Sequence, residues 1–237
     1  MDLIISPFVE RQISEILAPL KKPEKWMAFN LPFFPKPFAI VRMEGQPGTG
    51  KTTIARHMAN QVSTRSSIIN FADVANSHFS ETETKITTAF AEATKKKKNT
   101  LIFEEADALF WDRSMINEDN ILNIGIVNTL LVEIDKWKQR QIPSLLLFTT
   151  NHPDLIDKAL ESRITDVVKL QPPIGELAEQ MWISKFPKNL KYDKADISAM
   201  ATWGCTPRQM EDAVIHACRR ALLENRAVRI EDIHQNS

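Results

Sequence analysis

The sequence predicts an α/β fold, in which a parallel five-stranded sheet has helices on both faces and is followed by a small all-helical lid domain. Two observations predict it. Five short apolar segments alternate with helix-length segments up to residue 170, and this alternation is typical of parallel sheets built from crossover units. After Pro172 and Pro173 only helical patterns follow. We therefore predict a first domain over residues 1–173 and a lid domain over residues 174–237.

The five strand candidates are apolar or β-branched, and turn residues or charged segments separate them. They cover residues 38–43, 67–71, 100–103, 144–150 and 166–170. Helical periodicity precedes the first strand and separates the others, at 9–20, 51–62, 82–95, 119–138 and 155–161. Three prolines in "NLPFFPKP" exclude regular structure in that segment. In the lid, the stretches "GELAEQMWISKF", "ADISAMATW" and "TPRQMEDAVIHACRRALLEN" predict three helices.

Composition disfavours several functional classes. Lysine plus arginine and aspartate plus glutamate each total 30, so the net charge of zero provides no global field for nucleic acid or anionic lipid. No apolar run approaches the ~20 residues of a membrane-spanning helix, and we expect no membrane partner and a cytoplasmic location. The two cysteines, Cys205 and Cys218, are typical of a reduced compartment rather than of a disulfide-stabilised fold.

The clearest motif is the glycine-rich stretch "GQPGTGKT", which follows the first predicted strand and opens the next predicted helix. Its spacing is that of a phosphate-binding P-loop, in the strand–loop–helix context that the motif requires. Glycines let backbone N–H groups turn toward phosphates, Lys51 reaches the outer phosphates, and the Thr52 hydroxyl can bind Mg²⁺. We therefore expect a P-loop NTPase whose nucleotide-binding residues are Gly45, Gln46, Pro47, Gly48, Thr49, Gly50, Lys51, Thr52 and Thr53.

Two consecutive carboxylates, Glu104 and Glu105, follow the apolar strand "TLIF". A P-loop site needs a carboxylate on a neighbouring strand to help hold Mg²⁺, and a base that polarises the attacking water. Successive residues at a strand end point in different directions, so one carboxylate can face the metal and the other the γ-phosphate. We assign Glu104, with Thr52, to the metal and Glu105 to the water. The alternative is that both glutamates begin a solvated loop.

Almost the whole chain resembles the AAA+ ATPases. The stretch "GQPGTGKTTIARHMAN" is similar to the start of the AAA module of FtsH, katanin and the proteasomal ATPases. The stretch "LIFEEADALF" resembles their Walker B strand, in which an aspartate usually stands where this chain has Glu104. Three further stretches, "LLVEIDKW", "LLLFTTNHPDLIDKALESRI" and "WGCTPRQMEDAVIHACRRAL", resemble the segment before sensor 1, the sensor 1 strand with the arginine-finger helix, and the lid helix.

This resemblance implies roles for three further residues. Asn151 has the sensor 1 position, where it helps Glu105 place the water, and Arg163 has the position of an arginine finger that reaches the γ-phosphate of a neighbouring subunit. Arg208 matches sensor 2, as in the HORMA-domain remodellers. The alternatives are a surface helix residue for Arg163 and a salt bridge within the lid for Arg208, since most arginines are solvated.

His78 and Phe79 lie where the family carries its first pore loop, which grips an extended polypeptide. The alternative is that Phe79 packs in the core, because large apolar residues are usually buried. A finger supplied by a neighbour implies a homo-oligomer, which we expect to be a hexameric ring or spiral acting on a protein substrate or adaptor. The first function hypothesis is therefore an ATP-hydrolysing motor that remodels, unfolds or translocates protein through a central pore.

The second hypothesis is a nucleic-acid-associated AAA+ ATPase, a loader or a regulator of transposition or replication that assembles on DNA under ATP control. The lysine run at 95–98 favours it, although cations also complement the dipole at a solvated helix end. A small-molecule kinase is disfavoured by the sensor 1 and arginine-finger segments. The stretch "NHPD" resembles a guanine-recognition motif, but His152 replaces its lysine, so we expect ATP with Mg²⁺ rather than GTP.

Overall fold

The computed structural model describes residues 3–32, 36–62, 66–70, 79–95, 99–106, 121–140 and 142–234. The chain divides into two compact units. The sheet unit comprises Arg11–Gly45 and Lys51–Lys169, and the helical unit comprises Met1–Glu10, Gln46–Gly50 and Leu170–Ser237. The domain boundary at residue 173 stays a prediction.

A parallel five-stranded sheet forms the centre of the sheet unit. Its strands are β1 Phe38–Gly45, β2 Ser67–Asn70, β3 Asn99–Glu104, β4 Ser144–Thr150 and β5 Asp166–Leu170. The strand order is β2-β3-β4-β1-β5, and β4 pairs in parallel with both β1 and β3. The central strands β1 and β4 are buried over nearly their whole length, as expected of a sheet covered on both faces. The predicted fold class is confirmed.

Helices precede and connect these strands. They are α1 Pro7–Lys21, α2 Pro23–Met27, α3 Lys51–Val62, α4 Phe79–Thr94, α5 Ile121–Lys138 and α6 Lys158–Glu161. The single helix predicted at 155–161 is instead a short 3-10 turn, Pro153–Leu155, followed by α6. The break occurs because Ile156 is extended and Asp157 caps α6 by accepting the N–H of Ala159. Within the described ranges, no helix is long and apolar enough to cross a bilayer.

Aromatic packing fixes α4 and α5 against the sheet. Phe103 of β3 and Phe148 of β4 stack with ring centroids 5.3 Å apart. Phe90 of α4 lies 5.7 Å from the Phe103 ring and 5.4 Å from Trp137 of α5. All four side chains are almost fully buried, and such pairs add specific geometry to the hydrophobic burial. This core packs α4 and α5 against β3 and β4, at whose carboxyl ends the candidate site lies.

Every regular element that the structure describes after β5 is a helix. These helices are α7 Gly175–Lys185, α8 Lys194–Met200, α9 Pro207–Leu223 and α10 Ile230–His234. Capping boxes start two of them, with Asp193 and Asp196 at α8 and Thr206 and Gln209 at α9. Each box satisfies backbone N–H groups that a helix start would otherwise leave unpaired. Trp182 is the largest fully buried side chain in the core of this unit.

Candidate functional site

The predicted chemical groups of the sheet unit converge at the carboxyl ends of neighbouring strands. Glu44 of β1 pairs with Thr150 of β4, and Phe103 of β3 pairs with Phe148 of β4. The residues that follow these strands therefore leave the sheet at the same edge. In this way the fold brings together Gly45, Glu105 and Asn151, which the sequence separates widely. Asn151 is half-buried and directly follows the central strand β4.

The P-loop has the backbone that phosphate binding requires. Gly48 and Gly50 have φ angles of 82° and 94°, in the left-handed region that favours glycine. A Cβ atom added to Gly50 would meet no atom within 4 Å, so there is open space beside this part of the loop. Helix α3 begins at Lys51 and has 12 residues, and its N-terminal N–H groups and dipole favour an anion. The loop therefore fits a nucleotide phosphate.

Lys51, the first residue of α3, bonds to Gly45 at the end of β1. Its Nζ atom donates a hydrogen bond to the carbonyl oxygen of Gly45 at 2.7 Å, and the residue is only 8% exposed. A buried ammonium group needs partners, and phosphate oxygens form stronger, charge-assisted bonds than a carbonyl does. Lys51 is thus placed in the loop where it can exchange the Gly45 carbonyl for phosphate oxygens.

In the helical unit, the predicted sensor 2 residue lies against the P-loop segment Gln46–Gly50. The backbone N–H of Arg208 donates to the carbonyl oxygen of Gly48 at 3.3 Å. A Cβ atom on Gly48 would lie 2.7 Å from Cβ of Arg208 and 2.9 Å from Oγ1 of Thr206. Only glycine permits so close an approach, so Gly48 serves both the loop conformation and the packing of the start of α9. The Arg208 side chain itself is exposed.

Glu104 ends β3 as a buried residue in an ion pair with Arg56. Nε of Arg56 donates to Oε1 of Glu104 at 3.1 Å, and Nη2 donates to Oε2 at 3.4 Å. Arg56 lies four residues after Thr52 on α3, so the two side chains share a helix face. Glu104, the carboxylate predicted to face the metal, is therefore paired with Arg56, which lies on the same face of α3 as Thr52. Arg56 was not among the predicted site residues, and its spacing of four residues from Thr52 is the signal that could have indicated it.

The residues predicted for Mg²⁺ have suitable chemistry. The Thr52 hydroxyl and the Glu104 carboxylate supply hard oxygen ligands, which Mg²⁺ prefers. In the part of the chain that the structure describes, no group of three or more His, Cys, Asp or Glu side chains could hold a metal by itself. A P-loop site does not require such a group, because phosphate oxygens and water complete the coordination. Thr52 and Glu104 thus fit the ion.

Glu105 differs sharply from its neighbour Glu104. It is exposed, and its φ angle of 56° lies in the left-handed region. Its backbone N–H donates to Oγ1 of Thr149 on β4 at 3.2 Å. A non-glycine residue in this region costs roughly 1–2 kcal/mol, and such strain clusters at functional sites. Two consecutive glutamates therefore have different environments, one buried and ion-paired, the other exposed and strained.

Arg163 is anchored within its own chain. It follows α6 and forms two hydrogen bonds with Asp135 of α5, and its Nη1 atom donates to the carbonyl oxygen of Ala159 at 2.9 Å. The hydrogen bonds from Arg163 lower the pKa of the Asp135 carboxyl below its usual range. Asp135 lies in the stretch "LLVEIDKW", but no sequence pattern predicts a role for it. Arg163 is therefore a paired residue rather than a solvated surface arginine.

The predicted pore loop lies only partly within the described residues. His78 falls outside them, and Phe79 is the first residue of α4. Of the lysine run, only Lys95 is described, in the turn after α4. The roles of His78, Phe79 and the lysine run stay predictions.

Comparisons with known proteins find one family and several relatives to which this chain is similar. Residues 41–172 match the family described as "ATPase family associated with various cellular activities (AAA)". The human ATPase family gene 2 protein homolog A is 35% identical over 154 residues, which cover 63% of this chain and 16% of that protein. The yeast ATPase histone chaperone YTA7 is 35% identical over 156 residues, which cover 63% of this chain and 11% of that protein. The chain thus spans a small part of these relatives.

The fold also matches solved structures. The crystal structure of the FIGL-1 AAA domain in complex with ADP superposes with a TM-score of 0.79 at 20% sequence identity, covering 100% of this chain and 82% of that chain. Identity at this level establishes the fold alone.

Proposed function

Because this chain belongs to the AAA family of ATPases, as its resemblance predicted, we propose that it is an oligomeric, ATP-hydrolysing motor that remodels or unfolds protein substrates. The observation that carries the proposal is the pair of consecutive glutamates at the end of β3. One is buried in an ion pair with Arg56, and the other is exposed and strained. This division supports separate roles in metal binding and in activation of water.

The proposed hydrolysis uses groups at the carboxyl edge of the sheet. The P-loop from Gly45 to Thr53 holds the ATP phosphates, with Lys51 on the outer ones. Thr52 and Glu104 would hold Mg²⁺, which supplies charge neutralisation on the β- and γ-phosphates. Glu105 polarises the water that attacks the γ-phosphorus, and Asn151 helps to place that water. As the water oxygen bonds to the γ-phosphorus, Glu105 accepts a proton from the water, and the bond between the γ-phosphorus and the oxygen that bridges it to the β-phosphate breaks, which releases ADP and phosphate.

Two arginines complete the proposed site. Arg208 acts as sensor 2, and the hydrogen bond between its backbone and Gly48 supports this role, since it ties the start of α9 to the P-loop segment. Arg163 acts as an arginine finger on the γ-phosphate of a neighbouring protomer. A finger supplied in trans requires an oligomer, and we propose a hexameric ring or spiral.

A protein is the proposed substrate or adaptor. The name of one relative, a histone chaperone, supports a protein partner, and the net charge of zero supports it too, because no global basic field favours nucleic acid. His78 and Phe79 would contact the polypeptide in the central pore. The second candidate, an ATPase that assembles on DNA, rests on the lysine run at 95–98.

The test compares the rates of ATP hydrolysis with no ligand, with a permanently unfolded protein, and with single- or double-stranded DNA. We expect the unfolded protein to raise the rate and DNA to leave it unchanged. Glu105→Gln protein serves as the background control, since its residual rate measures contaminating ATPases. Stimulation by DNA without stimulation by the unfolded protein would contradict the proposal and favour the second candidate.

A further inference from the structure

We propose that Thr149 is a positioning residue for ATP hydrolysis, which holds Glu105 in the conformation that the base requires. The proposal rests on the role proposed above for Glu105. Thr149 lies in the central strand β4 and is 2% exposed. It acts on the reaction through the backbone of Glu105, so its effect belongs to the catalytic step rather than to nucleotide binding.

The first support is the hydrogen bond between the two strands. Regular pairing of β3 with β4 reaches Phe103 and Phe148. Beyond that point the N–H of Glu105 donates to a side chain, Oγ1 of Thr149, at 3.2 Å. A buried hydroxyl and a backbone N–H both need partners, and this bond supplies one for each. A side-chain acceptor stands away from the strand backbone, so the chain can leave the sheet at Glu105 while its N–H stays paired.

The second support is the conformation of Glu105. Among the residues that the structure describes, the non-glycine residues with positive φ are Asn30, Glu105 and Asn225. Asparagine tolerates the left-handed region because its short side chain can bond locally, whereas glutamate has no such advantage. A strained residue persists only where its surroundings hold it. The Thr149 hydroxyl is a specific contact that does so.

The third support is the position of Thr149 relative to Asn151. β4 ends at Thr150, and Asn151 directly follows it, two positions after Thr149. One rigid, buried strand therefore carries the acceptor that holds Glu105 and, directly after its end, the residue proposed to help place the water.

The experiment distinguishes the effect of the Thr149 hydroxyl group from the effect of the shape of the side chain. Thr149→Val keeps the volume and removes the acceptor, whereas Thr149→Ser keeps the acceptor. The matched control is Thr100→Val on β3, because Thr100 is equally buried and its Oγ1 atom has no hydrogen-bond partner. The variants are compared by the kcat and KM for ATP, by ATP affinity, and by thermal unfolding.

We expect Thr149→Val to lower kcat at least tenfold, with KM and ATP affinity unchanged. Thr149→Ser should retain most of kcat, and Thr100→Val should match the wild type. A crystal structure of Thr149→Val should show that φ of Glu105 has left the left-handed region. The inference fails if Thr149→Val keeps kcat within twofold, or if Thr149→Ser is as slow as Thr149→Val. Should Thr149→Val not fold, Thr149→Ala carries the same test, because it also lacks the acceptor.

Failure of this inference is distinguishable from failure of the proposed function. If Glu105→Gln hydrolyses ATP at the wild-type rate, Glu105 is not the base, and both proposals fall. If Glu105→Gln is inactive while Thr149→Val is fully active, Glu105 keeps its role and only the role of Thr149 is refuted.

Discussion

Arg163 and Asp135 bind each other through two hydrogen bonds within one chain. Nε of Arg163 lies 2.9 Å from Oδ1 of Asp135, and Nη2 lies 2.7 Å from Oδ2. Two parallel charge-assisted bonds are stronger than neutral hydrogen bonds, and they also fix the orientation of the guanidinium. An arginine finger must instead reach a phosphate on another protomer. If Arg163 has that role, Asp135 and the γ-phosphate compete for it, and the pair must open when the neighbour's nucleotide binds.

The first prediction concerns this arginine. Arg163→Ala should leave ATP binding intact and slow hydrolysis by ~10³-fold or more, as is typical of arginine fingers. Mixing Arg163→Ala with Glu105→Gln protomers should restore some hydrolysis, because the second protomer supplies the missing arginine to an intact base. The control is Arg11→Ala, which removes an exposed pair with Glu15 on α1. Absence of any recovery in mixtures that demonstrably co-assemble would refute the role in trans.

The second prediction tests why position 48 is glycine. Gly48 and Gly204 both have positive φ, but only a Cβ atom at Gly48 would collide with neighbouring atoms. Gly204→Ala should therefore lose about 1–2 kcal/mol of unfolding free energy from backbone strain alone and keep its affinity for ATP. Gly48→Ala should lose more stability and weaken ATP binding, since Arg208 and Thr206 must move away. Denaturant unfolding measures the stability of the two variants, and calorimetric titration measures their affinity for ATP. Equal behaviour of the two variants would show that the close approach is unimportant.

The third prediction concerns the proposed pore loop. Phe79→Ala should preserve basal ATP hydrolysis and assembly but abolish processing of an unfolded protein substrate, because the aromatic contact with the polypeptide is lost. Phe8→Ala is the control, since Phe8 is an exposed phenylalanine outside the proposed site. Turnover of the unfolded protein measures substrate processing, and analytical ultracentrifugation measures assembly. A Phe79→Ala variant that fails to fold would instead show that Phe79 belongs to the core.

The backbone of the site could be predicted from local patterns. The strands at 144–150 and 166–170 have the bounds that their apolar runs predicted. The P-loop and Glu104 with Glu105 are recognisable because each is a contiguous stretch placed after a strand. Even β1 was recognised, although it buries Arg42. That charge is tolerated because Glu44, two residues further along the strand, pairs with Arg42 at 2.8 Å.

The partners of the site residues could not be predicted in the same way. Arg56, Asp135 and Thr149 lie on elements far in sequence from the residues that they hold. Each pairing depends on strand order, register and helix rotation, which no local pattern contains. For Arg56 the spacing from Thr52 was a usable signal, whereas for Thr149 nothing in "LLLFTT" distinguishes it from a core threonine. The sequence thus indicated candidate groups for the chemistry but not the residues that orient them.

We propose that the two glutamates divide metal binding and water activation between them. Glu104 is longer by one methylene than the aspartate usual in this family, and Arg56 already binds its carboxylate. Mg²⁺ demands near-octahedral geometry, so loss of this carboxylate should affect metal-dependent binding. Glu105, in contrast, is exposed, and its proposed role is in water activation and not in metal binding. A neutral amide at position 105 fits but cannot polarise water.

The most direct test measures ATP affinity as a function of Mg²⁺ concentration for Glu105→Gln, Glu104→Gln and Glu104→Asp. Glu105→Gln should bind ATP–Mg²⁺ tightly, fail to hydrolyse it and stabilise the assembled oligomer. Glu104→Gln should require more Mg²⁺ for the same affinity, and Glu104→Asp should be tolerated. If Glu105→Gln instead loses its Mg²⁺-dependent binding while Glu104→Gln traps ATP, the two glutamates do not have the roles proposed for them.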